Sequence, residues 1–88
     1  MGTQLQNQYS IGHRVTWTSQ AAGITKTKTG TVVAVVPTKG EPNDALAAAG
    51  VRGRIKHPGY PRDHVTYVVR AGGRLYWPRV EYLAAAAA

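Results

Sequence analysis

The run Thr31-Val32-Val33-Ala34-Val35-Val36 constrains the fold more than any other segment of this 88-residue chain. β-branched residues favour strands, and successive side chains of a strand point to opposite faces of the sheet. Because the run is apolar at both sets of positions, it predicts a central strand that is covered on both sides. Pro37 ends this strand because it cannot donate a ladder hydrogen bond.

Two other segments alternate between apolar and polar residues, as half-buried strands do. In residues 11–18 the predicted inner residues are Ile11, Val15 and Trp17, with His13 as a polar exception on the same face. In residues 64–70 the predicted inner residues are Val65, Tyr67 and Val69, while His64, Thr66 and Arg70 take the other face. We expect Trp17, Tyr67 and Trp77 to be core residues, since large aromatic side chains supply much of the buried area in a small domain.

Residues 74–77 are predicted to return from the last of these strands as a hairpin. A three-residue Ala71-Gly72-Gly73 loop would pair Val69 with Leu75 and Tyr67 with Trp77, and would leave Arg70, Arg74 and Tyr76 outside. A two-residue Gly72-Gly73 turn would instead set Arg70 against Leu75 and expose Trp77. We favour the first register because it keeps apolar residues together on the buried face.

The remaining segments are predicted to be mostly irregular. Residues 1–10 are polar and are expected to form a flexible lead, and residues 19–30 a mobile, basic loop. Residues 38–63 form a long basic loop insertion, in which Asn43 or Asp44 could cap a helical turn over residues 45–49 that exits through Gly50.

The end of the chain is predicted to close the domain with a short turn. Residues 79–83 suit a 3₁₀ or short helical turn with Val80 and Leu83 facing inward, and residues 84–88 are expected to be a frayed alanine tail. The sequence thus predicts one all-β domain over residues 11–83, a small antiparallel barrel of about five short strands.

Short motifs add a resemblance to this interpretation. Gly12-x-x-Val15-x-Trp17, Gly30-Thr31-Val32-Val33, Tyr67-Val68-Val69 and the turn ending at Leu83 resemble small bacterial Tudor-like or SH3-like barrels of the hypervirulence-associated type. A weaker likeness runs to type II dihydrofolate reductases, small barrels that assemble around one pore. Those enzymes carry a Val-Gln-Ile-Tyr stretch where this chain has Arg74-Leu75-Tyr76-Trp77, so the resemblance implies no catalytic residue here.

The ionisable residues argue against an enzyme. Four scattered carboxylates offer no paired acid and base, and His13, His57 and His64 lack metal-ligand spacing in a chain without cysteine. We expect no cofactor. The sequence also shows no apolar run of about 20 residues and no signal-peptide pattern at its N-terminus, so a cytoplasmic protein with no membrane contact is predicted, either a monomer or a weak homo-oligomer.

The excess of cations is the strongest functional signal. The chain has 11 Lys and Arg against 4 Asp and Glu, a formal net charge of +7, and clustered cations gain free energy when they release counterions from nucleic acid. The candidate nucleic-acid-binding residues are Lys26, Lys28, Arg52, Arg54, Lys56 and Arg62 in loops, Arg14, Arg70 and Arg74 on the outer strand face, and Tyr60 and Tyr76 as stacking rings. We expect contact mainly with phosphates and little sequence specificity.

Two alternatives are left open by the sequence. The basic loop could serve solubility alone, since blocks of like charge are often only solvated. The same cations could also make the chain an adaptor or inhibitor that docks on an acidic partner protein, or the sheet edge could bind a partner by strand addition. An oligomeric, pore-type reductase is the third function considered.

Overall fold

A computed structural model of the protein describes residues 9–21, 23–56 and 58–86. Five strands, β1 (Arg14–Ala21), β2 (Ile24–Val36), β3 (Thr66–Ala71), β4 (Arg74–Tyr76) and β5 (Leu83–Ala85), form one antiparallel sheet in the order β4-β3-β2-β1-β5. One helix, α1 (Pro42–Ala48), and one 3₁₀ turn (Val80–Tyr82) complete the fold. The prediction of a small all-β fold is confirmed, and the run of residues 31–36 lies in the middle strand of the sheet. None of the described helices has the length and apolar character needed to span a membrane.

A β-bulge at Val33 lets strand β2 contribute to two cores. Val32 pairs with Val69, but Ala34 pairs with Val68, so the bulge shifts the register by one residue between them. Because side chains alternate between faces, that shift sends Val32 and Ala34 to opposite faces of the sheet. The predicted burial on both sides holds for these residues, whereas Val35 is 39% exposed.

The first core occupies one face of the sheet. Its buried members come from four strands and are Val15, Trp17, Val32, Tyr67, Val69 and Leu83. Tyr9 packs at its margin, where its ring meets the Tyr67 ring edge-on at 5.3 Å between centroids and its hydroxyl donates to the Leu83 carbonyl oxygen at 3.3 Å. Val80 also packs here, so the inward orientation predicted for Val80 and Leu83 is confirmed.

The second core lies on the other face, between the sheet and helix α1. Its buried members are Ala34, Val36, Leu46, Val68 and Trp77. The buried Trp77 Nε1 donates to the Thr66 hydroxyl at 2.8 Å, which satisfies the indole in an apolar surrounding. This second core explains why β3 is buried on both faces, and it corrects the predicted faces of residues 64–70: Thr66 is fully buried and Val65 is 42% exposed.

Helix α1 confirms the predicted helical turn but not its cap. It begins at Pro42, with Glu41 at the cap position and no side-chain capping hydrogen bond. It ends at Ala48, and the chain exits through Gly50 as predicted. The φ of 73° at Gly50 allows the amides of Gly50 and Val51 to donate to the carbonyls of Ala47 and Leu46. This double closure is the Schellman arrangement, which glycine favours at its left-handed position.

Parts of two predicted irregular segments are strands instead. Residues 19–21 pair with residues 24–26, and residues 27–30 pair with residues 15–18, in the β1–β2 hairpin. Threonines at positions 25, 27 and 29 supply β-propensity to this segment, which was predicted to be a mobile loop. Residues 84 and 85, which were predicted to be a frayed tail, pair with Thr16 and Val15.

Ile11, predicted to face inward, precedes β1 and is 59% exposed. Residues 1–8, 22, 57, 87 and 88 lie outside the described part of the chain.

The favoured register of the β3–β4 hairpin is wrong. Ala71 pairs with Arg74, Arg70 with Leu75 and Val69 with Tyr76, so the turn is the two-residue Gly72-Gly73. Both glycines have positive φ, 58° and 80°, as the tight turn compatible with strand twist requires. Trp77 is nevertheless only 8% exposed, since the second core gives the opposite face of the hairpin something to pack against.

Candidate nucleic-acid interface

An open groove of about 840 Å³ lies between residues 52–56 and the β3–β4 hairpin. We call it the basic groove. Its lining contains five cations, Arg52, Arg54, Lys56, Arg70 and Arg74, together with Gly53, Ile55, Gly73, Leu75, Tyr76 and Trp77. None of these described lining residues is acidic, so the field inside the groove favours an anion.

Within residues 52–56, Gly53 and Ile55 hold the segment against the rest of the fold. The Asn43 side chain makes two hydrogen bonds to the backbone of Ile55: its Oδ1 accepts from the amide at 2.7 Å and its Nδ2 donates to the carbonyl at 3.1 Å. Gly53 has a φ of 109°, and a Cβ at that position would lie 3.0 Å from Leu75 Cδ1. With Ile55 packed on the second core, the exposed side chains of Arg52, Arg54 and Lys56 are left for the groove.

The strand register extends the positive surface beyond the hairpin. Arg14 pairs with Thr31, and Thr31 pairs with Arg70, so these residues form a row across β1, β2 and β3. Directly paired residues share a face, and the Cα atoms of Arg14 and Arg70, two strands apart, are separated by roughly 10 Å. Arg14 is exposed and does not line the groove, but it shares the predicted outer face with Arg70.

Arg74 and Tyr76 line the groove but are not on the outer face that the favoured register predicted. Arg74 pairs with Ala71 and Tyr76 with Val69, and both partners pack in the first core, so only Arg70 keeps the predicted face.

Tyr76 is half-buried, its ring centroid lies 5.5 Å from that of Trp17 at a tilt of 56°, and the Nζ of Lys28 lies 5.3 Å from its centroid. Lys28 pairs with Trp17 and lies with the Tyr76 ring on the face of the first core, and it is not among the lining residues of the groove. Tyr60, which is 91% exposed, is not among the lining residues.

Arg62 is held by the fold rather than presented in the groove. Its two terminal nitrogens donate to the carbonyl oxygens of Pro78 and Trp77, each at 3.1 Å, and its guanidinium carbon lies 3.8 Å from the Trp77 ring centroid. Desolvation by burial, and secondarily the charge of Arg79, lowers the pKa of Arg62, while Glu81 acts in the opposite sense. The guanidinium stays charged, since an arginine starts from a very high pKa.

The predicted site residues thus divide into three groups. The groove is lined by Arg52, Arg54, Lys56, Arg70, Arg74 and Tyr76; Arg14 and Lys28 do not line it, but Arg14 aligns with Arg70 and Lys28 contacts Tyr76; Lys26, Tyr60 and Arg62 do not line it either. Sequence reasoning missed Asn43, Gly53 and Leu75, which position the cations. The one available signal was the glycine between two arginines, which is typical of a close backbone approach.

Comparison of the chain with protein-family models, curated proteins and solved structures finds no match. Within the described residues, no three His, Cys, Asp or Glu side chains are grouped so that they could hold a metal ion.

Proposed function

We propose that the protein binds nucleic acid through the basic groove, by contact with backbone phosphates and with little sequence specificity. The observation that carries this proposal is that the residues lining one groove include five cations and no carboxylate. A +7 chain could have distributed its charge evenly, whereas this arrangement concentrates it. We further propose that the scaffold is an SH3-like barrel, which is supported by the five antiparallel strands and the 3₁₀ turn before the last of them.

The groove's side chains favour phosphate over bases. Arginine presents a planar fork of donors that matches two phosphate oxygens, and four of the five groove cations are arginines. The groove's two aromatic rings are engaged elsewhere, since Arg62 lies over Trp77, and Tyr76 lies against Trp17 and Lys28. Stacking on bases, the usual aromatic contribution to single-strand binding, is left to the exposed Tyr60.

The experiment compares two triple variants that remove the same charge. The groove variant carries Arg52→Ala, Arg54→Ala and Lys56→Ala. The matched control carries Lys26→Ala, Arg79→Ala and Lys39→Asn at exposed positions outside the groove lining. Asparagine is chosen for Lys39 because that residue has a φ of 62°, which asparagine tolerates.

Fluorescence anisotropy with labelled single- and double-stranded DNA and RNA is measured over a range of salt concentrations. We expect the groove variant to reduce the slope of log K against log salt by about 0.9 per lost contact on duplex DNA and about 0.7 on single strands. The control should change the slope far less. If the two variants lose the same amount of affinity and salt slope, binding depends on the net charge of the protein and not on the groove. No binding to any of the four nucleic acids by the unmodified protein would reject the function and leave the two alternatives, an acidic partner protein or a basic surface that serves solubility alone.

A further inference from the structure

A second groove, of about 500 Å³, runs along helix α1 on a different part of the surface and shares no lining residue with the basic groove. We call it the apolar groove. Its floor is made of aliphatic and small side chains: Ile11, Val35, Pro37, Ala45, Ala48 and Ala49, with Gly40. Its two charged lining residues are Glu41 and Asp44, and no described cation lines it.

The floor exposes two large aliphatic side chains that the fold does not use. Ile11 is 59% exposed and Val35 is 39% exposed, although Val35 lies in the central strand of the sheet. Contiguous exposed apolar surface with a polar rim is typical of an interaction site. The volume falls in the range of sites that take a few side chains or a small ligand.

The two carboxylates at the rim of the apolar groove, Glu41 and Asp44, determine which occupant fits. Glu41 and Asp44 are both exposed, and neither has an ion-pair partner among the described residues. They are two of only four carboxylates in a chain with a net charge of +7, so a cationic segment that is repelled by most of the surface is attracted here. An acidic or purely aliphatic segment would desolvate these two carboxylates without supplying a countercharge, which is unfavourable.

We propose that the apolar groove binds a segment of a partner protein in which Lys or Arg residues flank an aliphatic side chain. The aliphatic side chain packs on Ile11 and Val35, and the flanking cations pair with Glu41 and Asp44. A two-fold contact between two copies of this chain fits less well because it would bring four carboxylates together around the apolar floor. The proposal is independent of nucleic-acid binding, since the two grooves use separate residues.

The probe is an acetylated, amidated peptide of sequence Lys-Leu-Lys-Leu-Lys, with Glu-Leu-Glu-Leu-Glu and Lys-Ser-Lys-Ser-Lys as comparisons. Binding is followed by amide chemical shifts of ¹⁵N-labelled protein at 0.15 M salt, where screening over about 8 Å suppresses the long-range repulsion. We expect only the first peptide to shift the amides of Glu41, of residues 43–49 and of Val35 in a saturable manner.

Two double variants test the rim at equal change of charge. Glu41→Gln with Asp44→Asn should weaken the binding of the first peptide about fivefold, while Asp63→Asn with Glu81→Gln, outside the groove, should leave it unchanged. Val35→Thr tests the floor and should weaken binding without altering the fold. Equal affinity of both double variants, shifts that map elsewhere, or no saturable binding up to millimolar peptide would overturn the proposal. So would sedimentation in which the unmodified protein dimerises and Val35→Thr does not, since the occupant would then be a second copy.

Discussion

The guanidinium of Arg62 lies over the ring of Trp77, 3.8 Å from its centroid, and also donates to the Trp77 carbonyl oxygen. A second donation, to the Pro78 carbonyl, ties the same side chain to the segment that leads from β4 to the 3₁₀ turn. One cation thus covers a face of the second core and satisfies two backbone acceptors. Its contribution is to the stability of the fold.

Arg62→Lys should therefore destabilise the protein although it keeps the charge. A lysine cannot form the two-pronged contact or stack as a planar group, so we expect the free energy of unfolding to fall by about 2 kcal/mol in urea denaturation. The comparison is Arg79→Lys, at an exposed neighbouring cation, which should change stability by less than about 0.5 kcal/mol. Equal small effects in the two variants would contradict the structural role given to Arg62.

Asn43→Ala should loosen the basic groove without removing a charge. The variant loses both hydrogen bonds to Ile55, so the amide of Ile55 should exchange with solvent faster and stability should fall by about 1–2 kcal/mol. Because the cations remain but are less well ordered, nucleic-acid affinity should decrease while its salt slope stays the same. Thr38→Ala, at an exposed neutral position outside the groove lining, is the control. A protected Ile55 amide in Asn43→Ala would show that the segment is held by something else.

The sequence predicted the elements of the sheet better than their pairing. The β-branched run and the alternating segments identified the strands, because those patterns depend on residues close together in the chain. The register of the β3–β4 hairpin was wrong because the rule of matching like residues assumes that one face is buried, and β3 is buried on both. The bulge at Val33 has no sequence signal, since every residue around it is apolar.

The residues of the candidate site were likewise predictable where local sequence identifies them, and not where a contact between distant residues decides. Composition identified the cations of residues 52–62, but it could not separate Arg52, which lines the groove, from Arg62, which packs on Trp77. Both arginines lie in the same Gly- and Pro-rich stretch, and only the tertiary contact with a residue 15 positions away distinguishes them. Likewise, no pattern pairs Asn43 with Ile55.

Gly30→Ala should destabilise the β2–β3 pairing severely. A Cβ at Gly30 would lie 2.5 Å from the Arg70 carbonyl oxygen and 2.7 Å from Val69 Cγ1, and the nearer of these atoms belongs to the backbone of a paired strand. The strand has to shift to relieve the overlap, and we expect a loss of about 3 kcal/mol, visible as a lower Tm. Thr29→Ala, at the exposed neighbouring position, should cost far less. A Tm for Gly30→Ala close to that of the unmodified protein would contradict the close approach of the two strands.

The buried hydrogen bond between Trp77 and Thr66 should appear as a coupling free energy in a double-mutant cycle. Thr66→Val keeps the volume but leaves the indole Nε1 without an acceptor, so stability should fall by about 2 kcal/mol. Trp77→Phe removes the donor at the cost of a smaller ring. The double variant has no unpaired donor. Its loss of unfolding free energy should therefore be smaller, by about 1 kcal/mol, than the sum of the losses in the two single variants. Thr66→Ser keeps the hydroxyl and should retain most of the coupling, whereas strict additivity would mean that the bond contributes nothing to stability.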